Sequence, residues 1–230
     1  MSELPNSQTE ECINSLKSEL VRHLRSTLYN EITFSGNYRS CCIGIVDAVN
    51  STNVTAKLVN GDLCKYYGIF LNAMAVIIKK FGGTVVKNVG DSLLYYFPET
   101  SDGQSKSALK DTLECSMAMI ESRPIINEKM QEENLPLLDY RVSVDYGNVM
   151  IAKSLNSASD DIFGSTVNLC AKINSMAPPN SIVIGGDLYQ IVKNFVGYDF
   201  NLMNSYSSGL KHDYPIYSIM QSKTKKWFSI

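Results

Sequence analysis

The stretch from Phe81 to Phe97 constrains this chain more than any other. Two β-rich runs, Thr84 to Lys87 and Ser92 to Phe97, flank Asn88-Val89-Gly90-Asp91, so the segment reads as a β-hairpin with a tight corner. Asp91 stands at that corner, at a strand end where side chains can converge on a ligand. On spacing alone a solvated turn aspartate is the commoner outcome. Asp47 shifts the balance, because it ends another apolar run, Cys41 to Val46, which reads as a strand buried on both faces.

Asn50-Ser51-Thr52 follow Asp47 and offer three N-cap residues before an expected short helix over Val54 to Leu58. An acid one turn from free backbone N–H groups suits a divalent metal carrying a phosphate chain; it also suits a plain helix cap. Two strand-end acids are the minimal equipment for two-metal phosphoryl chemistry. Mg²⁺ prefers one or two carboxylates plus substrate phosphates, which Asp47 and Asp91 could supply.

The rest of the chain supplies elements for a sheet with helices on its faces. Residues 9–30 carry Ile13, Leu16, Leu20, Leu24 and Leu28 at spacings of three and four, an amphipathic helix. That helix could pack on its own domain or pair with a partner. Asn30 to Tyr38 is expected as a linker. Asn60-Gly61 is expected to break one helix before a second over Tyr66 to Phe81, which Gly82-Gly83 stops. Lys106 to Met130 reads as one long helix, kinked near Pro124. Leu138 to Val144 and Asn148 to Ala152 read as a second hairpin around Asp145-Tyr146-Gly147, and Asn156 to Asp160 as a loop. A helix follows over the second half of Asp161 to Ile173, on which Asn168 and Lys172 share a face. Such a pair is usually a solvated surface pair. Ser181 to Ile184 reads as a strand, Asp187 to Val192 as a short helix with Asp187 as N-cap, and Tyr214 to Ile219 as the last strand. The order β-α-α-β-β-α-β-β-α-β-α-β gives an α+β fold with a mixed sheet.

Composition narrows the function classes. Hydrophobic residues make up 44% and charged residues 19% of 230, enough for one sizeable core. A net charge of −2 gives no global basic field for nucleic acid or an anionic membrane. The longest apolar run, Ile69 to Ile78, is about half of a membrane span. Six cysteines without CxxC or metal-ligand spacing read as reduced thiols in a cytoplasmic protein.

Three stretches together carry a family resemblance. Asp47-Ala48-Val49-Asn50-Ser51-Thr52, Lys87-Asn88-Val89-Gly90-Asp91 and Asp161-Ile162-Phe163-Gly164-Ser165-Thr166-Val167-Asn168 resemble, in order and spacing, the signatures of class III nucleotidyl cyclases. Ala177 to Ile184 and Leu210-Lys211…Pro215-Ile216-Tyr217 are similar to the family's last helix-to-strand passage and last strand. The resemblance covers roughly residues 39–220. It implies a ferredoxin-like palm (a βαββαβ core with extra helices and strands) over residues 37–222. An N-terminal helix and linker over 1–36 would precede it, and a tail over 223–230 would follow.

The resemblance also implies chemistry: ATP cyclised to 3′,5′-cyclic AMP and pyrophosphate in a head-to-tail homodimer. Asp47 and Asp91, helped by the Ala48 carbonyl, would bind two Mg²⁺ or Mn²⁺ ions per site. Asn50, Ser51 and Thr52 would cradle phosphates, and Lys211 is a further substrate contact. The second protomer would supply Lys87 and Asp161 to the base and Asn168 to the transition state. Lys87 only donates and Asp161 only accepts, which suits adenine. A regulatory partner could act through the 9–30 helix.

Two positions depart from the family pattern. Lys172 stands where an Arg normally holds the α-phosphate, which keeps the charge and loses the planar fork. Asn148 stands where some members place a phosphate-binding Arg. Lys172 leaves open a cyclase for another nucleotide, a triphosphate hydrolase, or a weakly catalytic nucleotide-binding regulatory module. Gly185-Gly186-Asp187-Leu188-Tyr189 resembles the GGDEF signature of diguanylate cyclases, but here it should follow a strand and open a helix rather than turn a hairpin.

Overall fold

Successive side chains of one long central strand point into two different cores, and that alternation of faces sets the layers. The structure, a computed structural model, describes residues 7–27, 32–154, 160–206 and 213–222. After α1 (Ser7–Thr27) come β1 (Ile32–Ala48), α2 (Ser51–Thr55), α3 (Asn60–Lys80), β2 (Thr84–Val89) and β3 (Ser92–Phe97). A 3₁₀ turn (Pro98–Thr100) leads to α4 (Lys106–Glu121), α5 (Arg123–Glu132), β4 (Tyr140–Ser154) and β5 (Asp160–Phe163). The chain continues through α6 (Ser165–Met176), β6 (Ile182–Gly185), α7 (Gly186–Val192), β7 (Tyr198–Tyr206) and β8 (Tyr214–Gln221).

The strands form one sheet in the order β2-β3-β1-β4-β6-β8-β7, with β5 paired to the last residues of β4. Among the described residues only the pairing of β4 with β6 is parallel. Crossovers through α3 and through α4–α5 make β2-β3-β1-β4 a βαββαβ palm, as the α+β reading expects. In β1, Cys42, Val46 and Ala48 face the main core, with residues of α3, α4, α5 and α7. Cys41 and Ile43 face a smaller core with Cys170 of α6. The helix α3 buries Tyr66, Phe70, Met74 and Ile78, a four-residue repeat that lays one stripe on the main core. Each such side chain contributes about 1.5–3 kcal/mol when fully buried. Residues 61–80 are also long and apolar enough to cross a bilayer, by length and composition only.

Several expectations need correction. From Ile32 the expected linker is the first half of β1, paired to β4 from Ile32↔Ser154 onward. Leu138 to Ala152 holds no hairpin: β4 runs straight through Asp145-Tyr146-Gly147. Asp145 is a buried acceptor rather than a turn residue, and Gly147 sits where a Cβ would collide with Thr166. Asn60-Gly61 begins α3 instead of breaking a helix. The long helix is two helices, α4 and α5, because Pro124 lacks the N–H a continuous helix needs and falls in the first turn of α5. Gly185, not Asp187, is the N-cap of α7. The strands β5 and β7 go beyond the expected order, and Asp160 belongs to β5. Residues 156–159, Lys211 and the tail 223–230 lie outside the described residues.

Asp145 ties three elements together. It is fully buried and accepts from the Tyr214 hydroxyl (2.7 Å), the Tyr146 N–H (2.8 Å) and the Leu188 N–H (3.4 Å). The Tyr214 hydroxyl accepts in turn from the Asp187 N–H at 2.9 Å. Loss of solvent pushes the Asp145 carboxyl up to about 6, with the Tyr214 hydrogen bond opposing. Cys41, Cys42, Cys115 and Cys170 are buried free thiols, and burial pushes Cys42 and Cys170 up to about 12; Cys64 is exposed.

Candidate active site

The register of three neighbouring strands builds one end of the site. Asp47 on β1 lies opposite Ser92 of β3 and opposite Arg141 of β4. Residues directly across an antiparallel pair share a face, so all three side chains meet. The Ser92 hydroxyl donates to Asp47 Oδ1 at 2.5 Å. Arg141 donates Nε and Nη2 to Asp47 Oδ2 at 3.1 and 3.0 Å, and Nη1 to the Ser175 carbonyl of α6 at 3.1 Å. Asp91 stands just before Ser92, in the two-residue corner with Gly90, whose φ of +63° favours glycine. Its carbonyl accepts from the Ala48 N–H, and its carboxylate accepts from the Ser51 hydroxyl.

That contact shows where the side chains of Asn50 and Ser51 go. Asn50 caps α2 in the left-handed conformation (φ 58°) without a side-chain cap bond, and its Oδ1 accepts from Asn53 Nδ2 instead. Ser51 is buried and aimed at Asp91 rather than at the helix. The two signature stretches are thus tied side chain to side chain. Asp47, Asp91, the Ser51 hydroxyl and the Ala48 carbonyl are all hard oxygen donors, a set that suits Mg²⁺ or Mn²⁺ rather than a soft-ligand metal. Among the described residues no group of three or more His, Cys, Asp or Glu could hold a metal by itself, so a cation here would need oxygens from its substrate.

The other end is built by β2, β5 and α6. Lys87 pairs with Asp161, and Asp161 Oδ1 also accepts from the Ile162 N–H at 2.8 Å. The Lys87 ammonium lies 5.7 Å from the centroid of the Phe163 ring. Asn168 sits on the first turns of α6, beside Gly164 and Val167. Asp47, Lys87, Ser92, Arg141, Phe163 and Asn168 of the one chain line a single cavity of about 430 Å³. That volume falls within the range of small-molecule sites. Lys172 is exposed, one turn beyond Asn168, and does not line the cavity; Asn148 accepts from Ser40 and does not line it either.

Matching the whole arrangement to known proteins decides the family. The family model of the adenylate and guanylate cyclase catalytic domain matches residues 34–221. The chain belongs to the class III cyclase family. An adenylate cyclase of Streptomyces coelicolor is 26% identical over 146 residues, 64% of this chain and 32% of that protein. A cytidylate cyclase of Staphylococcus aureus is 23% identical over 159 residues, 67% of this chain and 38% of that one. The chain thus spans about a third of the length of these relatives. The adenylyl cyclase CyaB of P. aeruginosa superposes with a TM-score of 0.72 at 20% identity, over 81% of this chain and 96% of that one. A likeness at that identity shows a shared fold, the cyclase palm.

Ser92, Arg141 and Phe163 line the cavity although the sequence reading assigns them no role there. Arg141 and Ser92 become visible only once the strands are in register, since sequence spacing does not say what lies opposite Asp47. Phe163 stood inside a signature stretch, but its proximity to Lys87 depends on β5, a strand of four residues.

Proposed function

We propose that this domain is a metal-dependent adenylyl cyclase that converts ATP to 3′,5′-cyclic AMP and pyrophosphate. The observation that carries the reading is that each copy holds both halves of the equipment: Asp47 and Lys87 line one cavity, Asp91 adjoins Asp47 through Ser92, and Lys87 is paired with Asp161, which itself lies outside the cavity lining. In the reaction the ribose 3′ oxygen bonds to the α-phosphorus, the bond to the β-phosphate oxygen breaks, and the 3′ proton passes to solvent. Two Mg²⁺ or Mn²⁺ ions held by Asp47 and Asp91 would sharpen the 3′ oxygen as nucleophile and neutralise charge on the phosphates.

The chain's own residues do the rest. Asn50 to Thr52 meet the β- and γ-phosphates, with Lys211 as a further contact. Arg141, which no spacing argument singles out, brings a permanent positive charge beside Asp47. Lys87 donates to adenine N1 and Asp161 accepts from its amine. Asn168 steadies the transition state through its amide, and Lys172 offers a point charge to the α-phosphate. The domain works as a head-to-tail homodimer, with Asp47 and Asp91 of one copy facing Lys87, Asp161 and Asn168 of the second. Ile13, Leu16, Leu20 and Leu24 are exposed along α1, the surface through which a regulatory partner would act.

One observation favours a second reading. Lys172 sits outside the cavity, so a domain that binds ATP and turns it over slowly, as a regulatory module, also fits. The experiment is to incubate the protein with each of the four ribonucleoside triphosphates, with Mn²⁺ and then Mg²⁺, and to separate the products. Cyclic AMP, formed mainly from ATP and lost on chelation, is the expected result. Diphosphate or monophosphate in place of a cyclic product would mean hydrolysis, and ATP binding without turnover would favour the module.

A further inference from the structure

The hydrogen-bonding code of Lys87 and Asp161 separates adenine from guanine but not adenine from cytosine. Adenine N1 and cytosine N3 both accept, and both bases carry an adjacent amine that donates. The two bases differ in reach, because the purine edge lies farther from the sugar. What must separate them is where the Lys87 ammonium is held.

Two features of the fold hold it. The first is a slip in the β2–β3 register: Val85 pairs with Tyr95, but Lys87, not Val86, pairs with Leu94. Without that extra residue Lys87 would oppose Leu93 and face the main core, because a one-residue shift moves a side chain to the other side of the sheet. The bulge at Val86 therefore puts Lys87 on the cavity side, with Leu94. The second is β5. Asp161 and Phe163 are two residues apart on one strand, so they project the same way, and both meet Lys87. A lysine bound by one carboxylate keeps the freedom of its four-carbon stem; an aromatic face within about 6 Å adds a second, geometrically separate contact.

We propose that Phe163 is a positioning residue for base selection: with the bulge at Val86 it fixes the height at which Lys87 meets the base, and so favours ATP over CTP. This rests on the reading of Lys87 and Asp161 as the base-selecting pair. Phe163 is 36% exposed at the cavity mouth, so replacing it opens no core void.

The test has a ligand-free and a kinetic part. In protein labelled at lysine, the side-chain protons of Lys87, assigned with Lys87→Arg, should be shifted upfield by the ring. Phe163→Leu should abolish that shift and Phe163→Tyr should keep it. A Lys87 signal that Phe163→Leu leaves in place would overturn the clamp. In the kinetic part, Phe163→Leu should lower the ratio of kcat/KM for ATP to that for CTP by about tenfold, with Phe163→Tyr close to wild type. An unchanged ratio, or an equal loss for both nucleotides, would overturn the selection role. Should Phe163→Leu fail to fold, Phe163→Met supplies the same comparison. A wild type that turns over neither triphosphate would refute the cyclase reading instead, and the Lys87 signal would still decide the clamp.

Discussion

At the acid end of the cavity Asp47 is locked between Ser92 and Arg141 by the register of three central strands, whereas at the base end Lys87 and Asp161 meet from two short strands, β2 and β5. The side chain of Asp47 is 17% exposed, against 44% for Lys87 and 29% for Asp161. Moving Asp47 would mean moving β1, β3 and β4 together. Moving Lys87 needs only a change in β2, an edge strand, or in β5. The difference suits a division of labour. Phosphate chemistry is common to every nucleotide and gains from a rigid frame. Base selection differs from one nucleotide to another and gains from parts that can change without disturbing the core.

The contrast makes predictions of decreasing size. Asp47→Ala or Asp91→Ala should cut turnover of every triphosphate on the order of 1,000-fold or more, as initial rates of cyclic product will show. A loss confined to one nucleotide would place these acids at the base instead. Asp161→Ala should act at the other end alone. It should lower kcat/KM for ATP by about 10- to 100-fold relative to GTP and leave metal dependence unchanged, which a metal titration checks. Equal losses for both nucleotides would erase the distinction between the ends.

Lys172→Arg should raise turnover several-fold, up to about 30-fold, if a forked cation at that position reaches the α-phosphate. No rise would mean that Arg141 or another group already serves there. The smallest effect lies outside the cavity. Burial lifts the Asp145 carboxyl to about 6 in the folded protein, above its unfolded value near 4. A folded value above the unfolded one means that the folded state holds its proton more tightly. Stability should therefore be greatest below about pH 4 as far as this group is concerned, fall as pH rises through 6, and level off above. The melting temperature should drop by a few degrees between pH 5 and 7.5, and Asp145→Asn should flatten that part of the profile. An identical slope in the variant would assign the pH dependence elsewhere.

The same contrast explains what could be read in the sequence. The hairpin at Gly90-Asp91 and the buried run to Val46 are short-range patterns, so both acids could be found by period and turn chemistry alone. Lys87, Asp161 and Asn168 stood out only through three stretches in family order. Arg141 and Ser92 were invisible, because their role comes from facing Asp47 across β1, and pairing is a long-range fact. Asp145-Tyr146-Gly147 looked like a turn for a physical reason: Asp and Gly are turn formers, and here tertiary contacts override that preference. Asp145 collects three donors, and Gly147 leaves space for Thr166. The edge strand β7 opens on Tyr198-Asp199-Phe200-Asn201-Leu202, an apolar–polar alternation that is legible in the sequence but missing from the expected order.

The central claim is that the acid end of one copy and the base end of another act on one nucleotide. Co-expression of Asp47→Ala with Asn168→Ala tests it most directly, since each variant alone should be inactive. A mixed dimer would hold one intact site, so the mixture should recover about a quarter of wild-type cyclic AMP formation if the copies pair at random. No recovery, with mixed dimers shown to form, would contradict the shared site and assign the whole reaction to the cavity of a single chain.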